Sequence, residues 1–340
     1  MSIQQQTQMK LYTDFTGKFQ MYIPLNWEYK NPSLYRRTEE GTPQAFGFYD
    51  KSLGAFQLSC KKVTEHIKKL IETRKEPIQS SDSKQLIFSE QFLPSDKQFV
   101  YAFSCAVDDH YFLATYIVEP QEPLLKKIEL ELKEVRKVLA SVKFIKEPFR
   151  QIVITERRFD LYMSSIATII ELKNKAIERD SYIEYVVFSA NHIDALLRLS
   201  IILTNQISNK NAYIDLKLLF QSDTDKPIIM ERTIYQKCLD QKIINQGLFN
   251  ELERLYKERN KVIHRFIITD IRAEDIYNLA YEYQDLFVKI DDLISNLESE
   301  QLKLKIGVWG THSQTGMTNE DKTLLRTKIK DKLGQLPKRK

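Results

Sequence analysis

Three cysteines, Cys60, Cys105 and Cys238, are all that the 340 residues contain, and no two stand as Cys-x-x-Cys. That scatter argues against a disulfide framework or a thiolate zinc site, and it fits a reducing cytoplasm. No apolar run approaches the roughly 18–20 residues that cross a bilayer, so no membrane partner is expected. The first ten residues are polar and glutamine-rich, without the apolar centre of a secretory signal. There is no glycine-rich phosphate loop and no clustered His, Cys and Asp set, so neither cofactor nor metal is expected.

What is present points to a globular protein of more than one domain. The length suffices for two or three cores, and 42% hydrophobic residues is ordinary. The net charge of +5 is unevenly placed. Residues 320–340 hold eight Lys/Arg against three Asp/Glu, which leaves the rest of the chain neutral. Such a tail can add phosphate contacts to RNA, or it can be a solvated end with no specific role.

The fold class read from the pattern is α+β, with an antiparallel-sheet α/β sandwich followed by an all-α bundle. Strands are expected at Lys18–Ile23, Pro43–Tyr49, Ala55–Val63, Gln85–Leu93, Gln98–Val107, Tyr111–Val118 and Val142–Ile145. Gly54 sits in a turn before the third, and Asp108-Asp109 makes a tight turn between the fifth and sixth. Phe99, Tyr101, Phe103 and Cys105 alternate onto one face. Helices are expected at Glu65–Arg74 and Glu122–Leu139, the second with Leu125, Ile128, Leu132, Val135 and Leu139 at helical spacing. His66 and His110 read as isolated. This half opens on Gly17-Lys18-Phe19-x-x-x-x-Pro24-x-x-Trp27 and closes on Ala140-Ser141-Val142-Lys143-Phe144. On those features residues 12–145 resemble the PsbP/Mog1-like α/β sandwich, whose members mostly bind other macromolecules. The resemblance implies a sensor or interaction domain over 1–145. Taken singly, Trp27 and the tyrosines are core and rim aromatics.

Lys146–Glu156, with Pro148 and mixed charge, reads as a linker. From Arg157 the period is helical, with helices at Phe159–Arg179, Ser181–Gln206, Thr233–Leu239, Asn245–His264 and Ala273–Ser299. Ser208–Thr233 is a polar interruption containing Pro227, with a short element near Ile214–Phe220. Residues 157–302 form the bundle. Residues 303–340, with Gly307, Gly310 and Gly316 and a short basic helix at Lys322–Leu333, read as a flexible tail that also contains His312.

One helix carries an anomaly. Leu248, Leu252 and Leu255 step along its apolar face, Arg259 takes the next position, and Val262 resumes the row. A permanent charge on such a stripe is costly unless it is paired or lines a polar cleft. Three segments make residues 157–300 resemble a HEPN domain, a helical superfamily rich in prokaryotic toxin and defence ribonucleases. They are Asn191-His192-Ile193-Asp194-Ala195-Leu196-Leu197-Arg198, the lead-in Cys238–Leu248, and Leu252-x-x-Leu255-x-x-x-Arg259-Asn260-x-x-x-His264. The family motif is Arg, a spacer of four to six residues that opens on a polar one, then His. Arg259, Asn260 and His264 match it.

The resemblance implies a metal-independent endoribonuclease, a toxin or antiphage effector, that acts as a homodimer. Cleavage by 2′-hydroxyl attack leaves a 2′,3′-cyclic phosphate and a 5′-hydroxyl. Histidine suits the acid or base role and a guanidinium the gathering phosphoryl charge. Asn260 can bond a phosphate oxygen or hold the histidine. Five helical steps of about 100° leave Arg259 and His264 roughly 140° apart, so one copy alone makes a poor site. Asp194, on the stripe of Val187, Ala190, Leu197 and Ile201, can pair with Arg259, orient His264, or be an ordinary buried ion-pair partner. The bland alternatives for the pair are a His264 that serves only the helix dipole and an Arg259 that snorkels. The competing function is a catalytically silent HEPN-like dimerisation or nucleotide-binding adaptor. Expected partners are RNA, a second copy, and a protein or phage-derived trigger on the N-terminal domain.

Overall fold

A computed structural model describes residues 9–29, 43–48, 53–95, 97–119, 124–221 and 228–311. The fold class is α+β, a sheet-bearing unit followed by a helical one, with the division between Arg157 and Arg158. Tyr49, Glu122, Pro227, His312, Gly316 and the basic stretch of 320–340 lie outside the described residues.

In the N-terminal unit, β1 (Met9–Thr13), β2 (Phe19–Pro24) and β10 (Lys143–Phe144) form an antiparallel sheet in the order β1-β2-β10. A second sheet runs β3 (Trp27–Tyr29), β4 (Gln44–Phe48), β5 (Gly54–Lys62), β9 (His110–Val118), β8 (Phe99–Val107), β6 (Ile78–Gln79), with β7 (Ser89–Pro94) also paired to β8. Its pairings are antiparallel except β6 with β8. The two-residue alternation of strands explains the layering. Phe103, Cys105, Phe112 and Ala114 face Ile128, Leu132 and Val135 of α2 (Leu125–Ala140). The intervening Ala106 and Tyr111 meet Ile71 of α1 (Glu65–Arg74) on the other face.

Asp108, at φ 48°, and Asp109 close the β8–β9 hairpin, a left-handed position that Asp tolerates. Gly54 begins β5 rather than sitting in a turn. A Cβ there would lie 2.5 Å from the Tyr116 ring, so only glycine fits. Leu125, expected in the core, is exposed because it is the first helical residue, and Val138 supplies a core contact instead. His110 is not isolated. It is buried, its Nδ1 lies 2.6 Å from Asp109, and its Nε2 is 3.4 Å from the Arg150 guanidinium.

The helical unit is built on α4 (Tyr182–Asn209). By length and composition α4 is apolar enough to cross a membrane, contrary to the reading of short apolar runs, and 67% of that window is buried inside the protein. Around it stand α3 (Glu147–Glu178), α5 (Leu216–Leu219), α6 (Glu231–Asp240), α7 (Gln246–Arg265), α8 (Ala273–Leu304) and α9 (Gly307–Thr311). Asn245 caps α7, its side chain accepting from the Leu248 amide.

Two boundaries differ from the sequence reading. Residues 147–156, expected as a linker, are the first turns of α3. Pro148 is second in that helix, where its missing N–H would be unsatisfied anyway. Residues 303–311, expected in a flexible tail, complete α8 and form α9. Two buried glutamines account for this. Gln301 Nε2 donates to Gln206 Oε1 (2.8 Å) and Leu203 O (3.3 Å), and Gln301 Oε1 accepts from the Trp309 amide (3.1 Å). Gln206 Oε1 also accepts from the Val308 amide (3.2 Å), and its Nε2 donates to Tyr213 O. Gly307, at φ +68°, lies where a Cβ would meet the Gln301 amide at 2.4 Å. Gly307 and Gly310, which look tail-like in sequence, are there for close approach.

Gly307→Val is expected to destabilise the helical unit by about 1–3 kcal/mol through overpacking and backbone strain, measured by urea unfolding. In the N-terminal unit, burial holds the His110 pKa below the ordinary histidine value, against the pull of Asp109. The unfolded chain therefore binds more protons between that lowered value and about 6.5, and stability falls as pH drops through this window. Near-UV melting of the N-terminal unit at pH 7.5 and pH 5.5 is expected to show the loss, and His110→Gln to reduce it.

Candidate active site

Helix α7 buries Leu252, Leu255, Arg259 and Val262 on one face. Arg259 therefore occupies a core position, with its side chain 11% exposed. Its charge is met by Glu231 in the first turn of α6. Nη1 donates to both Glu231 oxygens, at 2.7 and 3.0 Å. Nε and Nη2 donate to Asn260 Oδ1, at 3.3 and 3.0 Å, and the guanidinium lies 4.7 Å from the centre of the Tyr256 ring. Burial works against the Arg259 charge, but the Glu231 carboxylate more than offsets it and the pKa is raised. Glu231 also accepts from the buried Tyr235 hydroxyl. Burial pushes the Tyr235 phenol up, and the adjacent Glu231 charge pushes it further.

His264 stands in the last turn of α7 and is exposed, on a different side of the helix from Arg259. The helix runs on to Arg265 before a 3-10 turn at Phe266–Ile268, so no bend at Val262 brings the two side chains onto one face within a chain. Around His264 the apolar side chains of Ile263, Phe266, Ile267 and Ile268 are exposed, Ile267 to 94%.

Asp194 bonds neither Arg259 nor His264. Its Oδ2 accepts from Arg198 Nε at 2.7 Å, one turn along α4. Arg198 reaches on to Leu218 O and Ile229 O, tying α4 to the segments around α5. Asp194 is thus one member of a structural pair, one of the roles open to it in the sequence. Burial raises its pKa against the opposing pull of Arg198 and, more weakly, Arg259. Its second oxygen is buried and unpartnered. His192 lies on the same helix. It is buried, and its ring lies 4.7 Å from that of Phe287.

Glu231 is the site residue that sequence reasoning missed. Its sequence signal is an acid at the first turn of a short helix, which reads as a dipole partner. Among the described residues no group of three or more His, Cys, Asp or Glu side chains is placed to hold a metal ion.

No family model matches the chain, and no curated protein matches it. Solved structures show faint likeness to it, among them the following two. A crystal structure from Bacteroides thetaiotaomicron VPI-5482 is 12% identical, with 53% of this chain and 76% of that one covered and a TM-score of 0.29. The solution structure of cyanobacterial PsbP (CyanoP) from Synechocystis sp. PCC 6803 is 10% identical, with 43% and 97% covered and a TM-score of 0.22. Likeness at this level assigns no function.

Removing one partner of a buried ion pair strands the other charge. Glu231→Ala is expected to cost about 3–5 kcal/mol. Arg259→Met combined with Glu231→Leu is expected to recover most of it, and a double-mutant cycle in urea measures the coupling.

Proposed function

We propose that the helical unit is a metal-independent endoribonuclease of HEPN type. It works as a homodimer, in a toxin or antiphage effector whose PsbP/Mog1-like N-terminal unit senses a trigger. One observation carries this reading: α7 holds a buried, oriented guanidinium and, five residues on, an imidazole open to solvent. Arg259 supplies a fixed cation for the phosphoryl oxygens. The four contacts to Glu231 and Asn260 leave at least one of its five N–H groups for a phosphate.

The exposed apolar residues beside His264 suit a second copy. Two α7 helices meeting there would supply two imidazoles. In that dimer one His264 takes the 2′-hydroxyl proton as the oxygen attacks phosphorus, and the other protonates the departing 5′-oxygen. Asn260 stays with Arg259 as its positioning residue.

A second reading has its own support. The Glu231–Arg259 pair already accounts for the buried charge, as a silent dimerisation or nucleotide-binding module would require. His264→Ala separates the two, because an exposed side chain contributes little to stability. The nuclease reading expects RNA cleavage that persists in EDTA, leaves 2′,3′-cyclic phosphate ends, and falls at least 100-fold in His264→Ala with unchanged melting. Wild-type protein that leaves RNA intact, with His264→Ala indistinguishable from it in cells, favours the adaptor.

A further inference from the structure

A second polar cluster lies inside the helical unit, away from the groups used above. Lys173 of α3 is buried, and its Nζ has no hydrogen-bond partner. The ammonium sits 3.9 Å from the centre of the Phe287 ring and 5.3 Å from that of Tyr185. His192 lies against the same Phe287 ring, 4.7 Å between centres, and its Nδ1 is unpartnered. Gln284 Oε1 accepts from the Tyr185 hydroxyl, which fixes the amide orientation, and its Nε2 is unpartnered. On α4, Tyr185 and His192 are seven residues apart and so share a face; on α8, Gln284 and Phe287 do the same at a spacing of three. Phe287 and Tyr185 are thus the shared surface on which three buried, unsatisfied polar side chains from three helices assemble.

The missing chemistry is of one kind. A lysine Nζ carries only donors, and an amide nitrogen carries two. His192 can donate from Nδ1 in one tautomer. Among the described residues no carboxylate forms an ion pair with Lys173. Buried donors without acceptors are costly, and an acceptor-only ligand of negative charge is the kind that such donors call for. We propose that Lys173, His192 and Gln284 form a buried binding site for a small monovalent anion, a halide or a short carboxylate, against the Phe287 and Tyr185 rings. The anion turns an isolated buried cation into a neutral pair and lets α3, α4 and α8 pack around it.

Proton linkage gives the site a signature. Burial lowers the Lys173 pKa to about 7 when no counter-ion is present. The anion binds the protonated amine. Its apparent affinity is therefore flat below pH 7 and weakens about tenfold per unit above it, until the pKa of the bound form is reached.

The test uses the full-length protein at constant ionic strength, with sodium gluconate replaced stepwise by sodium chloride or sodium acetate. Chloride-35 NMR line broadening reads halide binding directly, and its removal by acetate shows that the two compete. The melting temperature of the protein reads the same binding through stability. The expected result is saturable broadening whose apparent affinity falls about fivefold from pH 7 to pH 8, with a rise in melting temperature on anion addition that weakens in step. Both are absent in Lys173→Met, whose volume keeps the core filled. Either anion alone giving the effect identifies the source and upholds the site. Broadening and melting that are equal in wild type and Lys173→Met, or independent of pH, or absent in wild type up to 100-millimolar order of anion, overturn it. Should Lys173→Met fail to fold, His192→Phe and the wild-type pH dependence decide between the same outcomes.

Discussion

A guanidinium set among leucines must be met by a negative charge, because arginine does not shed its proton at any pH a protein survives. In the helical unit Glu231 answers that demand, and much follows from the pairing. Glu231 is the first residue of α6, so the bond ties the start of α6 to the middle of α7. The same carboxylate accepts from Tyr235 one turn on, which sets the face that carries Ile234, Tyr235 and Cys238 into the core. The Tyr256 ring is near two guanidiniums, that of Arg259 at 4.7 Å and that of Arg232 at 5.8 Å from its centre. The charges on the outer side of α7 are held by exposed pairs, Arg254 with Glu282 and Lys289 with Glu251, which contribute little to stability.

Two buried cations among the described residues of the unit show what side-chain chemistry permits. Arg259 keeps its charge and requires a carboxylate. Lys173 has none, and burial alone brings its amine towards neutrality. One of these positions is a fixed electrostatic element, and the other responds to pH and to small solutes.

Much of the fold was legible in the chain, and the misses have physical causes. Helices announced themselves by period and caps: α1 spans the residues that its pattern marks, and α7 begins after its Asn245 cap. Strands β5, β8 and β9 follow from alternation and the Asp108-Asp109 turn. The short β3 and β6, and the parallel pairing of β6 with β8, have no periodic signal, since their existence depends on partners far along the chain. Residues 147–156 looked like a linker because proline weighs against helix, yet at the second helical position it costs nothing. At the site, the burial of Arg259 was readable from the leucine row. Its partner was not, because Glu231 is 28 residues away and nothing local distinguishes it from any acid at a helix start. Asp194 was placed on the right face and found a nearer arginine, Arg198.

Each compact unit holds one of the two tryptophans of the sequence. Trp27 is buried within the sheet core, beside Phe56, while Trp309 is half-buried where the short α9 closes over the glutamine pair. An indole enclosed by hydrocarbon emits at shorter wavelength than one that touches water. The emission spectrum is thus a natural two-colour label: its blue side reports the sheet and its red side the seal at the end of the bundle, with no dye attached.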